Sequence, residues 1–219
     1  MPAVLTPSAL PAERATGDGG FAAHPPDDPG GWQRPPGGNR IVQRYKLGVW
    51  IGMGGILMFF AALTSAMIVR QGLSNDWQPF SLPPVLYVST LVLLLSSVTI
   101  ERAKQALEDG SGDGLRKWVN VSAILGAVFV AFQLLGWQSL TARGIYLASN
   151  PASSFYYVLT AGHGLHLLGG IAVMGYIWVR LRTSRPWPTR RAVVEATALY
   201  WHFLDALWVY ILGLLLIWR

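Results

Sequence analysis

The chain has 219 residues, of which 52% are hydrophobic and 13% charged, and its formal charge is +6. That charged share is about half of the ~25% usual in a soluble domain, and a mean hydropathy of +0.37 agrees, which excludes a disordered chain and points to a membrane protein. With no cysteine, the chain has no disulfide, zinc–thiolate site, iron–sulfur cluster or cysteine-ligated copper, and in so hydrophobic a chain the positive charge is not a nucleic-acid signal.

Residues 1–40 hold eight prolines and seven glycines, a density of breakers that no helix or strand period survives. Residues 1–44 therefore read as a disordered polar tail. They lack the basic start and apolar run of a signal peptide. From Tyr45 onwards, apolar blocks follow one another at about 47–69, 84–100, 118–140, 154–179 and 192–218. Each approaches the ~20 residues a helix needs to span a bilayer, and none alternates as a barrel strand would. The fold expected is all-α: a five-helix transmembrane bundle over 45–219, with sequence neighbours packed as antiparallel neighbours.

The basic residues fix an orientation. The tail and first flank carry Arg14, Arg34, Arg40, Arg44 and Lys46. The loop after the second span carries Arg102, Lys104, Arg116 and Lys117, and the loop after the fourth carries Arg180, Arg182, Arg185, Arg190 and Arg191. Together these are 14 of the 17; only Arg70, Arg143 and Arg219 fall on the other side. The positive-inside rule then places the N-terminus in the cytoplasm and the C-terminus outside.

His163, His166, Glu195, His202 and Asp205 lie inside the fourth and fifth spans, whereas His24 sits in the tail. A carboxylate at mid-bilayer costs about 2.5–3.5 kcal/mol even on the gentler scale, so these groups must face protein, water or headgroups. Glu195, His202 and Asp205 share a stripe by helical spacing, and His163 and His166 share a face. The expectation is a buried, hydrogen-bonded seam between spans four and five. A proton-handling or lipid-headgroup site, and a haem or metal site using His163 with His202, are the other readings. Gly162, Gly164, Gly169 and Gly170 read as close-packing positions, and Glu101 as part of a solvated helix end.

Three segments carry a family pattern. Residues 195–208 run Glu-Ala-Thr-Ala-Leu-Tyr-Trp-His-Phe-Leu-Asp-Ala-Leu-Trp. They resemble the last helix of cytochrome c oxidase subunit III, where a Glu precedes Tyr-Trp-His-Phe-x-Asp-x-x-Trp. Tyr200, Trp201, His202, Phe203, Asp205 and Trp208 fill that signature. Residues 155–166, with Gly164 between His163 and His166, resemble the family's Phe-Tyr-x-x-Thr-Gly-x-His-Gly-x-His helix. The Met58-Phe59-Phe60 run and the segment 93–99 match in order and spacing. The resemblance covers about 45–219 and fits the five-span bacterial form. It departs at Ile56, where the family usually has a buried acid.

The resemblance implies a non-redox accessory subunit of a haem–copper oxidase in the bacterial inner membrane, with a cytoplasmic N-terminus and a periplasmic C-terminus. It implies aerobic respiration: oxidation of cytochrome c, reduction of dioxygen to water and outward proton translocation by the complex. Haem and copper belong to partner subunits, so no cofactor, metal or catalytic residue is expected in this chain. Subunit I is the direct partner, subunit II and other members lie nearby, and phospholipid is bound. Subunit III of a quinol oxidase, or an accessory subunit of nitric oxide reductase, is the alternative within the family. A haem-binding membrane anchor is the alternative outside it.

Overall fold

The structure, a computed structural model, describes residues 38–73, 75–78, 80–183 and 187–217. It contains five helices: α1 (Gly38–Leu73), α2 (Val85–Glu108), α3 (Gly112–Thr141), α4 (Pro151–Arg182) and α5 (Arg190–Ile217). All five are long and apolar enough to cross a membrane, and no strand occurs among the described residues. The expected all-α five-span fold is what the chain adopts. The tail reading falls, up to residue 37, outside the described residues, as does His24. Helix α1 begins at Gly38, earlier than the expected boundary at Tyr45. At 1.5 Å per residue its 36 residues reach ~54 Å, well beyond a ~30 Å hydrocarbon core.

Local chemistry sets the helix ends. Pro84 opens α2. The α2–α3 turn closes through Gly110 at φ 72°, with the Ser111 N–H donating to the Ala106 carbonyl at 3.0 Å. This is the left-handed glycine stop that satisfies terminal carbonyls. The Ser111 hydroxyl then accepts from the Gly114 N–H and caps α3. Gly144, at φ 77°, ends α3 in the same manner. Helix α4 starts with a reciprocal cap between Asn150 and Ser153, and Pro151 occupies its first turn.

Helices α2, α3, α4 and α5 pack in a closed ring, each touching the next, and α1 lies outside it against α5 and α4. This corrects the expectation that sequence neighbours pair throughout, because α1 and α2 do not touch among the described residues. The connector between them explains the difference. It crosses the N-terminal end of α4, stacking Trp77 near Phe155 (6.4 Å) and Phe80 edge-on to Tyr156 (5.6 Å), and delivers α2 to the far side. Helix α5 is the axis of the molecule. Half of its most apolar stretch is buried, against 22% for α1. The ring's interior holds Trp201, Trp208, Phe129, Tyr156 and Leu93, all essentially inaccessible to solvent.

Candidate functional site

Helix α5 turns its polar handles towards α2. The Trp208 indole donates to the Thr90 hydroxyl at 2.9 Å, and the Trp201 indole donates to the Ser96 hydroxyl at 2.8 Å. Next along the interface, the Ser97 hydroxyl and His202 Nδ1 share a hydrogen bond of 2.6 Å. The other ring nitrogen of His202 lies 3.4 Å from Glu101 Oε2, while Glu101 Oε1 accepts from Lys104 at 2.8 Å. Small hydroxyl residues on α2 let the bulky α5 side chains approach and supply acceptors where lipid supplies none. The indole of Trp201 lies between α3 and α4: a Cβ on Gly126 would meet it at 2.7 Å, and one on Gly170 at 3.0 Å.

At the end of α5 where this ladder stops, Glu195 is paired twice, with Lys46 of α1 at 2.7 Å and with Arg191 at 2.6 Å. Lys46, Trp50, Lys104, Glu195, Ala198, Leu199 and His202 line a cleft of about 320 Å³ there. Both carboxylates in this region are thus bound to cations, and Glu195 fastens α1 to α5.

The expected seam between α4 and α5 is corrected by these positions. Among the described residues no hydrogen bond joins any two of His163, His166, Glu195, His202 and Asp205. His163 is fully buried between Phe129 (5.7 Å) and Trp208 (5.0 Å), and neither ring nitrogen has a hydrogen-bond partner. His166 turns to α1: its ring lies 5.9 Å from Phe60, and Nδ1 is 2.7 Å from its own helix's Gly162 carbonyl. Asp205 is 4% exposed, and both its oxygens lack a hydrogen-bond partner. The α4–α5 contact is instead built from size matching, with Gly170 under Trp201, and from one hydrogen bond, Tyr200 hydroxyl to the His166 carbonyl at 3.0 Å. Phe203 is half-buried against the core. Of the four glycines, Gly162 (against Phe59) and Gly170 are close-packed, while a Cβ on Gly164 or Gly169 would meet nothing within 4 Å.

Sequence reasoning missed Thr90, Ser96, Ser97, Lys46 and the bridging role of Glu101. A signal was present: Thr90 and Ser96 on α2 lie about as far apart as Trp208 and Trp201 on the antiparallel α5. Attention to ionisable residues alone passed over it.

Among the described residues no group of three or more His, Asp or Glu side chains could hold a metal. The three membrane histidines face three different helices: His163 meets α3, His166 meets α1 and His202 meets α2. The pair His163 and His202, needed for a haem between them, does not fit that role. One is enclosed by aromatic rings and the other is held by Ser97 and Glu101.

A family model described as cytochrome c oxidase subunit III matches residues 47–219. A probable cytochrome c oxidase subunit 3 of Nocardia farcinica is 33% identical over 168 residues, covering 75% of this chain and 83% of that relative. Cytochrome c oxidase subunit 3 of Thermostichus vulcanus is 31% identical, over 78% of this chain and 86% of its own length. A probable cytochrome c oxidase subunit 3 of Mycobacterium tuberculosis is 32% identical, over 75% and 83%. With a match over nearly all of its membrane helices, the chain belongs to the cytochrome c oxidase subunit III family, the accessory subunits of haem–copper oxidases.

Proposed function

We propose that this chain is a non-redox subunit of a bacterial inner-membrane oxidase, bound beside subunit I, with subunit II and other members close by. It protects subunit I while the complex oxidises cytochrome c, reduces dioxygen and moves protons outward. The observation that carries this reading is the divergence of His163, His166 and His202, each tied into its own helix contact and none converging on a shared centre. The chain's chemistry goes into holding five helices together. The N-terminus lies in the cytoplasm and the C-terminus in the periplasm, as the 14 basic residues on one side support. The same basic side holds anionic phospholipid headgroups, each cation contributing about 1 kcal/mol near such a surface. Ile56 packs partly buried against the core, so no carboxyl stands where the family usually has its acid.

The test is an oxidase purified with and without this chain. The depleted complex should show an unchanged haem spectrum and initial rate of oxygen consumption but faster decay of activity during turnover, reversed by adding the chain back. A lower initial rate at constant haem content would place the chain in the reaction path and overturn the scaffold reading.

A further inference from the structure

Several cations of the basic side are spoken for. Lys46 and Arg191 pair with Glu195, Lys104 pairs with Glu101, and Arg180 lies 5.6 Å from the Trp187 ring. Lys117 of α3 and Arg182 of α4 have no carboxylate partner among the described residues. The fold brings these two together. Helices α3 and α4 pack side by side and run antiparallel, which sets the first turns of α3 beside the last turn of α4. By helical spacing, residues 113, 116, 117 and 120 share one face of α3, and 178, 181 and 182 share one face of α4. These two faces line a cleft of about 550 Å³.

Arg182 is held in place from within its own helix. Its guanidinium lies 3.8 Å from the centroid of the Trp178 ring. Stacking occupies the flat face of a guanidinium and leaves the N–H donors along its edge available. On the α3 wall, the Lys117 ammonium lies 5.7 Å from the Trp118 ring, and Asn120 contributes an amide. Arg116 adds a third cation, tied to Asp113 at 3.1 Å. Three cations against one carboxylate leave the cleft with two positive charges in excess. That excess matches a phosphate monoester, which carries about −1.5 to −2 near neutral pH. The depth agrees. The apolar block of α3 starts at about 118 and that of α4 ends at about 179, so the cleft straddles the edge of the hydrocarbon, where lipid phosphates lie.

We propose that the cleft between the start of α3 and the end of α4 binds one dianionic phosphate group, carried by a lipid headgroup or by a small free phosphate compound. The edge of Arg182 offers paired N–H donors to two phosphate oxygens, Lys117 supplies a point charge, and Asn120 a neutral donor. Asp113 draws off part of the charge of Arg116, which matches the site to a single phosphate rather than to a run of them. Because Lys117 and Arg182 belong to different helices, the bound anion ties the ends of α3 and α4 together. The inference rests on the reading that the basic side holds anionic headgroups, and it names the residues that hold one.

Native mass spectrometry of the intact oxidase, in phosphatidylcholine micelles doped with increasing phosphatidic acid, counts the anionic lipid retained. Wild type should keep one molecule that Lys117→Gln and Arg182→Gln each hold about fivefold more weakly, and the double variant about 25-fold. Arg182→Lys, which keeps the charge but loses the flat fork, should fall between. Arg102→Gln, a cation of the same side outside the cleft, should bind as wild type does. Equilibrium dialysis of the same complexes against radiolabelled inorganic phosphate tests the free source. Saturable phosphate uptake that the same variants weaken, with no lipid retained, makes the ligand a free phosphate compound and upholds the site. Equal binding of both probes by wild type, Lys117→Gln and Arg182→Gln would overturn it. So would an equal loss in Arg102→Gln, which would mean diffuse surface charge. Should Arg182→Gln fail to assemble, Lys117→Gln and Arg182→Lys carry the test. None of these outcomes touches the decay of activity during turnover, so the two readings fall separately.

Discussion

Gly126 and Gly170 bracket the Trp201 indole from two helices, and the ring has no room to move because its nitrogen is held by Ser96. A methyl group at Gly126 would sit 2.7 Å from the ring, closer than any real contact. Gly126→Ala should therefore destabilise the subunit by about 1–3 kcal/mol, the usual cost of overpacking. Gly164→Ala, whose Cβ meets nothing, should be neutral or slightly stabilising through helix propensity. Unfolding in a graded mixture of mild and denaturing detergent measures both, and equal effects would refute the packing account. Trp201→Phe separates the ring from its hydrogen bond. It should cost about 1–2 kcal/mol, most of it from leaving the buried Ser96 hydroxyl with a lost partner. His202→Leu removes contacts to Ser97 and Glu101 together and should lower the retention of this subunit in the purified oxidase while leaving the haem spectrum unchanged.

Between elements, two kinds of connection differ in how they respond to solvent. The Glu195–Lys46 pair joins α1 to α5, but Lys46 is 42% exposed, so water and salt screen it. A double-mutant cycle on Lys46 and Glu195 should give a coupling below about 1 kcal/mol that shrinks as salt rises. The α2–α5 indole–hydroxyl ladder is dry, and its variants should be insensitive to salt. Helix α4 offers a third case: Asn150→Ala removes the cap and should cost about 1 kcal/mol in the same detergent titration. The helices themselves were legible in the sequence, because lipid admits only a closed set of backbone hydrogen bonds and long apolar runs declare it. Partnership between helices was not. His163 and His202 lie on facing-compatible stripes of α4 and α5, yet His202 turns to Ser97 of α2. A helix rotation of a few tens of degrees decides that outcome, and it is set by where Gly126, Gly170 and Ser96 admit Trp201. Those residues are neither charged nor periodic enough to stand out in one sequence.

At the level of the whole molecule, the five spans and their charged loops predict a definite sidedness. Reporter fusions at Gly112 and Thr183 should read cytoplasmic, and fusions at Asp76 and Ser149 should read periplasmic. A periplasmic signal at Thr183 would reverse the orientation, since the loop it opens is the most basic of the chain. The same reversal would move the cleft lined by Lys46, Glu195 and Lys104 to the outer face. The ring of α2 to α5 was not foreseen from loop lengths, because an eleven-residue connector across the end of α4 can place its two helices on opposite sides of the bundle.

Of the five helices, α1 leaves the ribosome first and rests on the one that leaves it last. Its contacts are Phe59 and Phe60 against α4 and Lys46 against Glu195 of α5, and it has none with α2. At about 5–20 residues per second, α5 follows α1 by roughly 6–23 s. For that interval α1 lacks its larger partner and has only its lighter contact with α4. A chain stopped before Arg190 would close no ring and would hold α1 only through α4. Quality-control proteases that survey the membrane for unpartnered spans would then meet this subunit through its earliest-made helix.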